Sequence, residues 1–132
     1  MIKGVGHIGI VVKDIDAALA GLAKALGGPK PPVKDVPERK MKVAVWDFGG
    51  FQLEFLQDYS PDGWLAGFNR EHGNAIHHFC LLSDDLDGDV AGLHARGVDT
   101  LTPEPRNGLR GKRIIFLSPE LMDGFPVELS EP

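Results

Sequence analysis

Residues 7–22 read HIGIVVKDIDAALAGL, and residues 78–93 read HFCLLSDDLDGDVAGL. Laid one on the other, His7 falls on His78, Asp14 on Asp85, Asp16 on Asp87, and AGL on AGL. Farther along each half comes a second pair, GFQLEF at residues 50–55 and GFPVEL at residues 124–129, with Glu54 and Glu128 in the same slot. Two histidines, two aspartates and two glutamates keep their order. The chain therefore reads as two copies of one unit, about 1–57 and about 75–132, within a single domain spanning residues 1–132.

Each copy has the same plan. An alternating strand comes first, over 6–12 and 76–82. An Asp-led helix follows, starting near Asp14 or Asp16 and near Asp85 or Asp87, because Asp caps a helix and suits its positive end. Ile15, Leu19, Leu22 and Leu26 are spaced as one helical face, as are Leu86, Val90 and Leu93. Gly27, Gly28 and Gly97 stop the helices. Closing strands are expected over 41–48, 51–56, 113–117 and 125–130. Residues 29–36 read as a Pro/Lys-rich loop, and residues 58–73 as a linker with a short helix near 64–70. The expected fold class is α+β: two tandem βαβββ modules forming a curved eight-stranded mixed sheet around a metal cleft, with the helices outside.

Strand alternation assigns the polar residues to faces. Ile8, Ile10 and Val12 face the first helix, as do Leu53 and Phe55. Phe79 and Leu81 face the second, as do Val127 and Leu129. His7, Glu54, His78 and Glu128 all fall on the other face, with small neighbours at Gly9 and Cys80. A carboxylate in a half-buried strand is costly unless something compensates its charge. Two imidazoles and two carboxylates are a donor set for one divalent ion, and the metal ligands expected are His7, Glu54, His78 and Glu128. Alternation sends His77 the opposite way, so it is not a ligand; His72 and His94 read as loop and helix-surface residues. Arg106, Asn107, Arg110 and Lys112 cluster in a Gly-rich loop, which reads either as a solvated hairpin turn or as a holder of an anionic substrate group.

Composition narrows the function further. With 132 residues, a core can form without staples. A net charge of −5 and the absence of any basic stripe exclude a nucleic-acid surface. A single cysteine excludes an intrachain disulfide. No apolar stretch has the length of a membrane span, and the early apolar run does not read as a secretory signal. The expected location is the cytoplasm.

The residues HIGIVVKDID, IHHFCLLSDDLD and PEPRNGLRGKRIIFLSP…GFPVELSEP resemble the vicinal oxygen chelate superfamily of glyoxalases, bleomycin-resistance proteins and dioxygenases, over essentially the whole chain. The last stretch is similar to methylmalonyl-CoA epimerases, and the resemblance places metal ligands at the same four positions. It implies one divalent ion (Co, Ni, Mn, Zn or Fe), a small-molecule substrate such as a CoA thioester, and a homodimer. It further implies a metal-dependent epimerase or isomerase that abstracts a proton next to a carbonyl, with Glu54 and Glu128 as the catalytic pair. Alternatives on the same fold are a glyoxalase I-like lyase, an extradiol-type dioxygenase and a non-catalytic binding (resistance) protein. Departures from the epimerase pattern include GLAKAL in the first helix and PELMDGF before Glu128.

Overall fold

The computed structural model describes residues 1–132. Its strands are β1 (Ile2–Val11), β2 (Lys34–Val36), β3 (Met41–Asp47), β4 (Gln52–Asp58), β5 (Ala75–Ser83), β6 (Arg106–Asn107), β7 (Arg113–Phe116) and β8 (Val127–Ser130). Its helices are α1 (Ile15–Leu26), α2 (Trp64–His72) and α3 (Leu86–Ala95). The strands form an eight-stranded sheet in the order β2-β3-β4-β1-β5-β8-β7-β6. The sheet is mixed: β5 and β8 run parallel, while β2–β3, β3–β4, β6–β7 and β7–β8 are antiparallel. The α+β plan of βαβββ twice is thus present, with α2 between the two copies.

Two short edge strands were not visible in the sequence. Residues 34–36 close the expected Pro/Lys-rich loop by pairing with β3, Lys34 opposite Val43 and Val36 opposite Met41. Arg106 and Asn107, read as loop, pair with Ile114 and Arg113. Strands of three and two residues carry too little alternation to register as a period.

The chain divides into two compact units, residues 8–77 and residues 1–7 with 78–132. In the first, Val12, Ile15, Leu19, Ala44 and Phe55 form the core, joined by Ile10, Leu22 and Leu53. Asp14 caps α1, its carboxylate accepting from the Ala17 N–H at 3.1 Å, and Gly27 ends it at φ +74°. Leu26, expected on the apolar stripe, instead lies 53% exposed in the last turn. In the second unit, Leu86, Val90, Ile115, Leu117, Val127 and Leu129 form the core with Phe79, Leu81 and Leu93. Asp85 caps α3 through the Gly88 N–H at 3.1 Å. Both cores are the faces that alternation assigned to the helices, so the residues between them in sequence face away from the helices.

Candidate metal centre

The second unit buries His7, His78, Cys80 and Glu128 on the face turned away from α3. His7 and His78 are 5% and 1% exposed, Glu128 is 5% exposed, and Cys80 is wholly buried. Three strands deliver them. His7 comes from β1, His78 and Cys80 from β5 two residues apart, and Glu128 from β8, where it is the parallel-ladder partner of Cys80. His7 Nε2 lies 3.2 Å from His78 Nε2. Glu128 reaches both rings, Oε1 at 3.4 Å from His7 Nε2 and Oε2 at 3.9 Å from His78 Nε2. The two imidazoles meet edge-on, with centroids 5.3 Å apart, and Phe116 stands edge-on against His78 at 5.2 Å.

This donor set fits a divalent cation. Ligand atoms about 2.1 Å from a common ion lie roughly 3.0 Å apart in cis octahedral positions and about 3.4 Å apart in a tetrahedron. The His7–His78 and His7–Glu128 separations match those spacings. A carboxylate held against two imidazoles away from water is costly unless its charge is compensated, and a bound cation would compensate it. Cys80 adds a donor that the sequence reading had treated only as a small neighbour. His7, Cys80 and Glu128 each offer an atom within 4.8 Å of the others.

The remaining residues fall as follows. Glu54 lies in β4 of the other unit, 6% exposed and opposite Val45 in the β3–β4 ladder. Arg106, Asn107 and Lys112 are exposed on the β6–β7 hairpin. Arg110, at the tip of that hairpin, places Nη1 3.4 Å from His7 Nδ1. No local pattern in the sequence announces that contact, since 103 residues separate the two. His77 is buried at 2% exposure and packs edge-on against Trp64 and Phe68 of α2, at 4.7 and 4.8 Å. Burial lowers its pKa from 6.5 to about 4. His72 ends α2 and touches Phe68, whereas His94 on α3 shares a 2.9 Å hydrogen bond with the Thr100 hydroxyl.

A mixed eight-stranded sheet built from two βαβββ copies, with buried imidazoles and carboxylates on its strands, defines a protein of the vicinal oxygen chelate class. The chain belongs to the glyoxalase/bleomycin resistance protein/dioxygenase superfamily, whose family model matches residues 6–116. It is 32% identical over 126 residues to the Bacillus subtilis protein YqjC, covering 96% of this chain and 90% of that one. It is 29% identical over 133 residues to the ethylmalonyl-CoA/methylmalonyl-CoA epimerase of Cereibacter sphaeroides, covering 99% of both. Among solved structures, a variant of Streptomyces coelicolor methylmalonyl-CoA epimerase in complex with 2-nitronate-propionyl-CoA superposes with a TM-score of 0.87. That match has 28% identity and covers 99% of this chain and 95% of the other. Relatives of this chain thus include epimerases of methylmalonyl-CoA.

Proposed function

We propose that this protein is a metal-dependent epimerase of a 2-acyl-CoA such as methylmalonyl-CoA. The observation that carries the reading is the buried His7–His78–Glu128 cluster, at ligand-like spacing, in a chain whose relatives include epimerases. His7, His78 and Glu128 would hold the ion, with Glu54 proposed as the fourth ligand. Its assignment is supported by its burial and by its place in the repeat, matching that of Glu128. A divalent ion held there would polarise the thioester carbonyl and so acidify the neighbouring C–H.

Epimerisation removes a proton from one face of a carbon and returns one to the other. That asks for two bases flanking the carbon, and Glu54 and Glu128 are the pair proposed. A carboxylate engaged with a cation is a weak base, so the one acting on the proton turns away from the ion as substrate enters. Burial favours this role, because an excluded carboxylate freed of its partner is a stronger base than a solvated one. The protein is proposed to act in the cytoplasm as a homodimer. The exposed Ile2 and Val5 of β1, at 41% and 48%, are apolar surface suited to pairing, and the one cysteine is a buried thiol outside any disulfide. A sedimentation profile showing only monomer at micromolar concentration would remove the dimer.

Hydrogen exchange at the substrate provides the test. Metal-loaded protein in heavy water is expected to introduce deuterium at the 2-position of methylmalonyl-CoA, read by mass spectrometry. Glu54→Gln and Glu128→Gln should each slow interconversion of the two epimers by about a hundredfold or more, while the remaining glutamate still exchanges the proton on its own face. Full interconversion of the epimers by either variant, with the metal still bound, rules out that glutamate as a base. Turnover of a glutathione hemithioacetal with no exchange at methylmalonyl-CoA would favour a lyase instead.

A further inference from the structure

On the α3 side of the second unit, away from the face that holds His78 and Glu128, lies a cleft of about 360 Å³. That is the size of a small-ligand pocket. One wall is α3, where helical spacing sets Asp87, Val90, Ala91 and His94 along one face. The other wall is the segment Pro103-Glu104-Pro105 ahead of β6, and Arg113 of β7 completes the lining. Val90 is buried, and Ala91 and the two prolines add apolar wall.

The donors of this cleft are already engaged, whereas acceptors remain. Arg113 donates from Nη1 and Nη2 to the Asp87 carboxylate at 3.1 and 2.9 Å, and from Nε to Glu131 at 2.9 Å. One positive charge is thus held between two negative ones, so Arg113 has no call for a further anion. Thr100 Oγ1 gives its single hydrogen to the Thr102 carbonyl at 2.6 Å, so it accepts from His94 Nε2 at 2.9 Å. The neutral His94 ring therefore carries its proton on Nε2 and a lone pair on Nδ1. Glu104 adds a carboxylate that no cation of the chain engages. Pro103 and Pro105 have no backbone N–H to offer.

We propose that this cleft is a second ligand site, for a small organic cation with an N–H-bearing head and a short apolar stem, an alkylguanidinium being the best match. The spare acceptors, Glu104 and His94 Nδ1, call for a donor, and the surplus of carboxylates calls for a positive one. A guanidinium presents several N–H groups in one plane and is weakly hydrated, so it loses little on leaving water. Its stem has Val90, Ala91 and the proline rings to rest on. The site needs neither the metal cluster nor the epimerase reading, since residues between Asp87 and Arg113 build it.

The experiment titrates n-butylguanidinium into the full-length protein, followed by calorimetry and by backbone amide shifts in NMR. One-to-one binding is expected, with shifts at Ala91, His94 and Glu104. Glu104→Gln should weaken it about tenfold. Ala91→Phe, which fills the cleft from the exposed side of α3, should abolish it. Tetramethylammonium, equally charged but without an N–H, should bind at least about tenfold more weakly, and butanoate should not bind. Absence of binding by the parent at about 10 mM overturns the proposal. So do shifts centred elsewhere, equal affinity in either variant, or tetramethylammonium binding as tightly as the guanidinium. Preferential binding of butanoate would overturn it as well, by showing that Arg113 recruits an anion despite its two carboxylates.

Discussion

At the scale of single residues, two adjacent histidines meet opposite fates because a strand alternates. His78 turns to Glu128 and His7, whereas His77 turns to the aromatic side chains of α2. Burial beside those rings penalises a proton on His77 and holds its pKa near 4. The folded pKa lies below the unfolded value of 6.5, so the unfolded chain binds the proton more readily. Stability contributed by the neutral ring is intact above pH 6.5 and falls as the pH drops toward 4. Between pH 7 and pH 5 the loss from this group is on the order of 2 kcal/mol. Urea unfolding at the two pH values should show that His77→Phe, which keeps an aromatic ring between Trp64 and Phe68, loses less stability on acidification than the parent. An identical loss in both would mean that His77 is protonated in the fold at pH 5.

At the scale of elements, the helices show what a sequence reveals and what it leaves out. Asp14, Asp85, Gly27 and Gly97 were legible because caps and stops are local chemistry, decided within one turn. His7, His78 and Glu128 were legible because strand alternation and a repeat together fix which face each occupies. Arg110 against His7 was not, because the contact depends on where a hairpin tip falls in space. Leu26 was misplaced for a related reason: helical periodicity says which face a residue takes, but not how far along the axis the core extends. Two glycines of α1 give a matched test of the local reading. Gly21 lies within the helix, and Gly27 ends it with φ +74°; a Cβ would meet nothing within 4 Å at either. Backbone conformation alone then sets the sign. Gly21→Ala should raise stability by about 0.5–1 kcal/mol, and Gly27→Ala should lower it by roughly 1 kcal/mol. Urea midpoints with unchanged slopes read both, and a shared sign would contradict the helix end at Gly27.

At the scale of the whole molecule, a cation held by the cluster would make folding and binding one equilibrium. His7 belongs to the N-terminal segment, yet it lies in the compact unit built from residues 78–132. Around it that segment is tied down by the Met1 amino group on Asp84 and Asp89, both at 2.9 Å, and by Gly6, where a Cβ would strike Leu82. An unfolded chain leaves His7 far from His78 and Glu128, so a cation that needs all three binds the folded state alone. Its presence at a hundred times its dissociation constant then adds about 2.7 kcal/mol of stability. For a chain of this length that corresponds to a rise in Tm of roughly 10 °C. Thermal unfolding of chelator-treated protein, with and without added zinc or cobalt, is expected to show the rise. His78→Ala should abolish it, while His72→Ala, altering a ring at the exposed end of α2, should leave it intact. A rise that survives His78→Ala would place the stabilising ion elsewhere in the molecule and leave the buried imidazole pair without the charge proposed to sit between them.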